Sequence, residues 1–159
     1  MNIRPFKAGD MDQVIAIANR AWRGIHESYK AVYGEELYHQ LFPTPETRVG
    51  NNVKERLEKR PDKAIVVEDD GKILGFLTYW LEPESRLGVI GYNAADPDCL
   101  GKGIGQQMYR FALDIFRREG MRFAKVHTGL DDGHAPARRA YERAGFNIHR
   151  DERDYYMKL

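Results

Sequence analysis

The sequence predicts an α/β (α+β) fold, a mixed and mostly antiparallel sheet of six to seven strands with about four helices. Three observations carry that prediction. Ala64 to Glu68 and Lys72 to Leu81 are apolar runs of strand length on either side of Asp70-Gly71, a dipeptide suited to a tight hairpin. Leu87 to Asn93 is a further apolar run that enters a glycine-rich turn and a helix before Phe123 to Thr128 resumes strand character, which makes one parallel crossover from the fourth strand to the fifth. The remaining periodic segments complete the order βααβββαβαββ.

Taken in order, Asn2 to Phe6 alternates apolar and polar residues as a short first strand. Asp10 with Gln13 reads as a capping box, and Met11, Val14, Ile15, Ala18, Ala21 and Trp22 then mark one face of a helix. From Trp22 to Pro45 the pattern loosens, with Trp22, Tyr29, Tyr33, Tyr38 and Phe42 set among polar residues. These rings form either a lid or wall over a pocket, or ordinary helix packing. Thr44-Pro45 suits a cap and a first-turn proline, and Val49, Val53 and Leu57 continue as a second amphipathic helix. After the hairpin, the Glu82-Pro83-Glu84-Ser85 loop leads into Leu87 to Asn93, so three strands form an antiparallel meander. Ile104, Met108, Phe111, Ala112, Ile115 and Phe116 share one helix face. Ala135 to Ala144 is a helix ended by Gly145, and Phe146 to His149 with Tyr155 to Leu159 are expected as a closing pair of strands. Without repeats or a linker, residues 1–159 read as a single domain.

Composition narrows the functional class. Charged residues make up 31% and the formal net charge is +1, which gives no nucleic-acid footprint and no acidic tail, so a small partner is expected. The single cysteine, Cys99, forms no internal disulfide and no cysteine metal cluster, and no metal is expected. Neither the start, Met1-Asn2-Ile3-Arg4, nor any apolar run resembles a signal peptide or the ~18 residues of a membrane span, so a soluble cytoplasmic protein is expected.

The stretch from Asn93 to Gln106 organises the rest. Glycines at 101, 103 and 105 leave the backbone bare where the first N–H groups of a helix point out unpaired. Two readings fit: a tight loop that needs glycine for its backbone angles, or a cradle for a phosphate or pyrophosphate, favoured by the helix dipole. GxxxxGK[ST] is absent, and GxGxxG fails because Gln107 and Met108 follow Gln106.

Two motifs carry a resemblance. Asp96 to Gly105 resembles the pyrophosphate loop (Q/R)xxGx(G/A) of the GCN5-related N-acetyltransferases, the GNAT family, with Leu100 where Gln or Arg is usual. His134-Ala135-Pro136-Ala137-Arg138-Arg139-Ala140-Tyr141-Glu142-Arg143-Ala144-Gly145-Phe146 resembles that family's NxxAxxxYxxxGF, with His134 where Asn is usual. Leu100 loses a polar side chain but keeps its N–H, and His134 still offers a hydrogen bond.

The resemblance implies a fold in which strands four and five are parallel and splayed. The pantetheine arm of acetyl-CoA then lies against Asn93, Ala94 and Ala95, with the pyrophosphate over Leu100, Gly101, Lys102, Gly103, Ile104, Gly105 and Gln106. It further implies cofactor contacts from His134, Ala137 and Tyr141, and a catalytic role for Tyr141 as the acid that protonates the leaving thiolate. The implied activity is transfer of acetyl from acetyl-CoA to a primary amine of a small molecule or peptide by direct attack, with a backbone N–H near Ala94 or Ala95 facing the oxyanion. The alternative is a non-catalytic acetyl-CoA sensor or regulatory domain.

Some members of the family place a glutamate general base on strand four, where this chain has Val89. Glu82, Tyr92, Asp131, Asp132, His134 or a water remain as candidates. Cys99 is either a reactive thiol at a helix start or a small filler. Glu27, Glu35, Glu36, Glu82 and Glu84, on the presumed acceptor side, would favour a cationic amine, although the 24 acidic residues are spread along the chain. The final strand, Tyr155 to Leu159, is either an apolar edge that pairs two copies as a homodimer or is covered within one chain.

Overall fold

The structure, a computed structural model, describes residues 1–159. Its elements are β1 (Asn2–Pro5), α1 (Met11–Ala21), α2 (Arg23–Leu41), α3 (Pro45–Lys59), β2 (Ala64–Asp69), β3 (Lys72–Glu82), β4 (Leu87–Ala95), α4 (Ile104–Arg118), β5 (Phe123–Val126) and α5 (Ala135–Arg143), with short 3-10 turns between some of them. The strands form one five-stranded sheet in the order β1-β2-β3-β4-β5. The first three pairings are antiparallel, and β4 with β5 is parallel. The β2–β3 hairpin turns through Asp70 and Gly71 with φ of 48° and 78°, the left-handed pair a two-residue turn requires.

Period-two alternation sends the strand side chains into two separate cores. On one face Val14, Ile17 and Ala18 of α1 and Val49, Val53 and Leu57 of α3 cover Val66, Ile73 and Phe76. On the other, Ile104, Met108, Ala112 and Phe116 of α4 cover Ile65, Val67, Leu77 and Ile90. No helix is long and apolar enough to cross a membrane.

Three expectations need correction. The sheet has five strands rather than six or seven, because neither Phe146 to His149 nor Tyr155 to Leu159 forms a strand. Phe146 still packs on the core, but every residue from Asn147 to Leu159 is exposed. Strand-forming residues need a partner ladder, and no backbone of residues 147–159 pairs with the sheet, whose last strand is β5. The four expected helices are present, and the aromatic-rich segment adds α2, kinked where Gly34 adopts φ 73° and ψ 162°. Asp10 does not cap α1 with its side chain: its carboxylate accepts from Lys7 N at 2.8 Å and from the Arg4 guanidinium at 2.7 and 2.8 Å. Gln13 reaches instead to the β2–β3 hairpin, accepting from Ile73 N at 2.9 Å.

The feature that positions a site lies in β4. Its register against β3 runs from Leu77–Asn93 to Tyr79–Ile90, so β4 carries one extra residue, a bulge around Gly91 and Tyr92. Gly91 is obligatory there, since a Cβ would stand 2.7 Å from Thr78 Oγ1. Pairing with β5 stops at Ile90–Val126, whereas β4 continues to Ala95. A gap therefore opens between the two parallel strands.

Candidate active site

The gap widens into a cleft of about 1340 Å³ that runs from the glycine turn past Tyr141 to Trp22 after α1, Tyr29 of α2 and Trp80 of β3. Asn93, Ala94, Ala95, Leu100, Gly101, Gly103, Ile104, Gly105, Gln106, His134, Ala137 and Tyr141 all line it, as do Tyr92 and Val89. Lys102 does not: its Nζ turns back to 3.9 Å from Cys99 Sγ. Cys99 is buried beside the loop, which suits the filler reading.

At the turn, Gly101 and Gly103 have φ of 81° and 73°, and a Cβ on either would meet nothing within 4 Å. Both observations concern the same patch of open backbone. The amide N–H groups from Leu100 to Gln106 make no hydrogen bond within the protein; the ladder of α4 begins only with Gln107 N to Gly103 O at 3.1 Å. Aimed together at a helix N-terminus, such donors fit a phosphate or pyrophosphate. The turn is anchored by Asp96, whose buried carboxylate accepts from Arg20 at 2.6 Å and Asp98 N at 3.0 Å and lies 3.5 Å from Lys72 Nζ. Burial alone would raise its pKa, but the Asp98 N–H and the two cations outweigh this and hold it below the ordinary carboxylate value. Arg20 on α1 is distant in sequence from the loop, so no local pattern announced this staple.

Along β4, Asp96 N–H donates to Leu74 O of β3 at 2.8 Å. Alternation therefore turns the polar backbone of Ala94 toward β3 as well, and directs the N–H groups of Asn93 and Ala95 into the gap. Tyr141 enters the gap from α5 and is buried. Its hydroxyl belongs to a network centred on the Asn93 side chain. Asn93 Nδ2 donates to Gly91 O at 3.0 Å and to Tyr141 Oη at 3.2 Å, while Asn93 Oδ1 accepts from Tyr109 Oη at 3.0 Å. Gly91 O can only accept, so the amide nitrogen must lie on its side and the orientation is not arbitrary. Tyr109 occupies the amide oxygen, and the Tyr141 hydroxyl stands 3.4 Å from the same atom. The phenolic proton of Tyr141 is thus left without a short internal acceptor. Burial pushes its pKa upward against the opposing pull of Asn93 and Tyr109, so the group stays protonated at neutral pH. Sequence reasoning placed Asn93 as backbone alone and missed Tyr109, which sits in the buried stripe of α4 next to Met108.

The base candidates separate clearly. Glu82 is exposed and accepts from Trp80 Nε1 and from Ser85 Oγ, and Asp132 is exposed; neither reaches the cleft. Val89 is buried and offers no carboxylate. His134 lines the cleft, and its Nδ1 lies 2.6 Å from Asp131 Oδ1. Burial would raise the Asp131 pKa, but the Ser28 hydroxyl and His134 lower it further, so an ionised carboxylate orients the ring. Tyr29 tilts against His134 with centroids 5.8 Å apart, and burial pushes its phenol up to about 12.

The aromatic segment serves both expected purposes. Trp22 and Tyr29 line the cleft, while Tyr38 and Phe42 pack around His26. None of Glu27, Glu35, Glu36, Glu82 and Glu84 lines it; all five are exposed, and Glu27, Glu35 and Glu36 are paired with Lys30, His39 and Lys158. The expected acidic acceptor side is therefore absent, because α2 and the β3–β4 loop turn those carboxylates to solvent.

Comparison with known proteins places the fold and the family. A mycothiol acetyltransferase from Beutenbergia cavernae is 32% identical over 87 residues, covering 54% of this chain and 29% of the relative. An S-(2-succino)cysteine N-acetyltransferase from Bacillus subtilis is 30% identical over 92 residues, covering 55% and 56%. The chain thus spans about three tenths of the first and just over half of the second. Among solved structures, the PaiA N-acetyltransferase from Thermoplasma acidophilum in complex with coenzyme A shares the fold, with a TM-score of 0.72 at 15% identity over 95% of this chain and 92% of that one. The family model for the acetyltransferase (GNAT) family matches residues 20–146. Because that match runs through the glycine turn and the α5 motif alike, the chain belongs to the GNAT family of acetyltransferases.

Proposed function

We propose that this protein transfers an acetyl group from acetyl-CoA to a primary amine by direct attack. The observation that carries the proposal is the run of unbonded N–H groups from Leu100 to Gln106, opening directly into the β4–β5 gap that holds Tyr141. Acetyl-CoA would supply the activated thioester, whose C–S bond breaks as the C–N bond forms. The residues to hold it are those of the turn for the pyrophosphate and Asn93 to Ala95, with Ala137, for the arm. The N–H of Ala95, and that of Asn93, face the side where negative charge on a carbonyl oxygen would need a donor. His134, oriented by Asp131, takes the first proton from the incoming ammonium at Nε2, the nitrogen of the tetrahedral adduct releases its second proton to solvent, and Tyr141 gives its proton to the departing sulfur. Both groups recover through solvent. A relative named for N-acetylation of S-(2-succino)cysteine supports an amine nitrogen as the acceptor.

One observation favours the alternative of a cofactor-binding sensor: β4 carries Val89 where some family members place a glutamate base. Turnover separates the two. Calorimetric titration should show acetyl-CoA binding with neither ATP nor NAD competing, and Gly103→Asp, which puts a side chain and a negative charge into the cradle, should weaken binding by more than ~1.4 kcal/mol, a factor of ten. Unchanged affinity in that variant would move the site elsewhere. Binding without acetylation of any amine would support the sensor.

A further inference from the structure

Arg56 lies on α3 at the edge of the cleft, and no ion pair with a carboxylate satisfies it. Its guanidinium sits 4.8 Å over the ring of Trp80 and makes one long hydrogen bond, 3.5 Å to Tyr79 O. The neighbouring Glu55 is already paired with Lys59 at 2.5 Å, and Glu82 is taken up by Trp80 Nε1 at 3.1 Å. Trp80 pairs with Val89 near the start of β4, whereas the glycine turn follows the end of that strand. Arg56 therefore stands away from the phosphate cradle, toward the end that an acceptor would occupy. Trp80 and Tyr92 line the cleft with it, and no aspartate or glutamate does. Of the other cations that line the cleft, Arg20 is neutralised by Asp96 and Asp98, whereas Lys125 and Arg143 pair with no carboxylate and add to the positive charge.

A half-buried guanidinium held over an indole is prepared for a planar anion, because its planar fork is rigid and its position is already fixed, so little freedom is lost on binding. A polycationic amine would find no counter-charge there and would be repelled by Arg56, Lys125 and Arg143. Resting on the acetyltransferase reading above, we infer that the acceptor is an amino-acid-like amine, a small molecule carrying a carboxylate near the reacting nitrogen, and that Arg56 on Trp80 binds that carboxylate.

The test measures initial rates of CoA release with acetyl-CoA and matched acceptors: methionine, phenylalanine and S-substituted cysteines, the carboxamides of the same amino acids, spermidine and an aminoglycoside. Free acids are expected to exceed their amides in kcat/KM by roughly 10- to 100-fold, as a charge-assisted bidentate contact implies. Arg56→Gln should collapse that ratio toward unity mainly through KM for the acids, Arg56→Lys should restore part of it, and Arg56→Glu should turn the preference toward spermidine. Acetyl-CoA affinity, titrated on each variant, reports that the fold and cradle are intact. Amides or polyamines acetylated as well as the acids, or a ratio that survives Arg56→Gln, would overturn the carboxylate assignment while leaving acetyl transfer in place. Failure of every acid to react would overturn it too; acetylation of an amide, spermidine or the aminoglycoside would then keep the acetyltransferase reading, and acetyl-CoA binding with no acceptor turned over would end it in favour of the sensor.

Discussion

Tyr141→Phe isolates a single proton. The ring keeps its neighbours, Tyr109 at 5.2 Å and Phe146 at 6.1 Å between centroids, so packing is conserved. What is lost is one hydrogen bond from Asn93 Nδ2, and that nitrogen keeps Gly91 O at 3.0 Å. Loss of a neutral hydrogen bond of this kind costs about 1 kcal/mol of stability. Loss of general acid catalysis costs roughly 10²- to 10⁴-fold in kcat, which at about 1.4 kcal/mol per decade is a barrier increase of about 3–5 kcal/mol. The rate effect should therefore far exceed the stability effect. Both are measurable on one preparation, by CoA release at saturating acceptor and by urea unfolding. Acetyl-CoA affinity should change little, because the lost interaction belongs to the departing sulfur rather than to the bound ground state. Because burial raises the Tyr141 pKa, the parent enzyme should also hold its rate on the alkaline side up to at least about pH 10, the unperturbed tyrosine value. Full kcat in Tyr141→Phe, with chemistry shown to be rate-limiting by the absence of a pre-steady-state burst, would refute the role.

Three further outcomes are expected. His134→Gln should lower kcat by roughly 10²-fold or more while sparing acetyl-CoA affinity; the reverse pattern, weakened binding at full kcat, would make His134 a cofactor ligand instead of the base. Asp96→Asn should destabilise the protein by roughly 2 kcal/mol at neutral pH, the scale of hydrogen bonds to a charged group. Since the folded Asp96 pKa lies below its unfolded value of 3.8, that contribution is fully present above the unfolded pKa and is lost as pH falls through the folded one, so the gap between parent and variant in urea should begin to shrink as pH falls past 3.8 and close below the folded pKa; a gap that stays constant as pH falls below 3.8 would contradict the ion-pair account. The outer edge of β5 pairs with no strand of this chain and exposes Phe123, as the tail exposes Tyr155, Met157 and Leu159, so we propose a homodimer through these surfaces; a monomer mass by light scattering at micromolar concentration would end that idea.

Local chemistry was enough for the elements whose residues decide their own shape. Asp70-Gly71 turned because both residues adopt positive φ, and the stripe of Ile104, Met108, Ala112 and Phe116 made α4 because its spacing matches one helix face. The turn from Leu100 to Gln106 was legible for the same reason, since unpaired donors follow from glycine and a helix start without any distant partner. Tertiary structure decided whatever depends on two distant segments meeting. The β4 bulge and the end of β5 pairing at Val126 open the gap; Asn93 joins Tyr109 and Tyr141 from three elements; the turn that carries His134 meets Ser28 and Tyr29 of α2; and Arg56 of α3 finds Trp80 of β3. The two misread strands at the C-terminal end show the limit from the other side. Tyr155 to Leu159 has the residues of a strand, but a strand exists only where a second edge accepts its hydrogen bonds, and no such edge is encoded in its own composition.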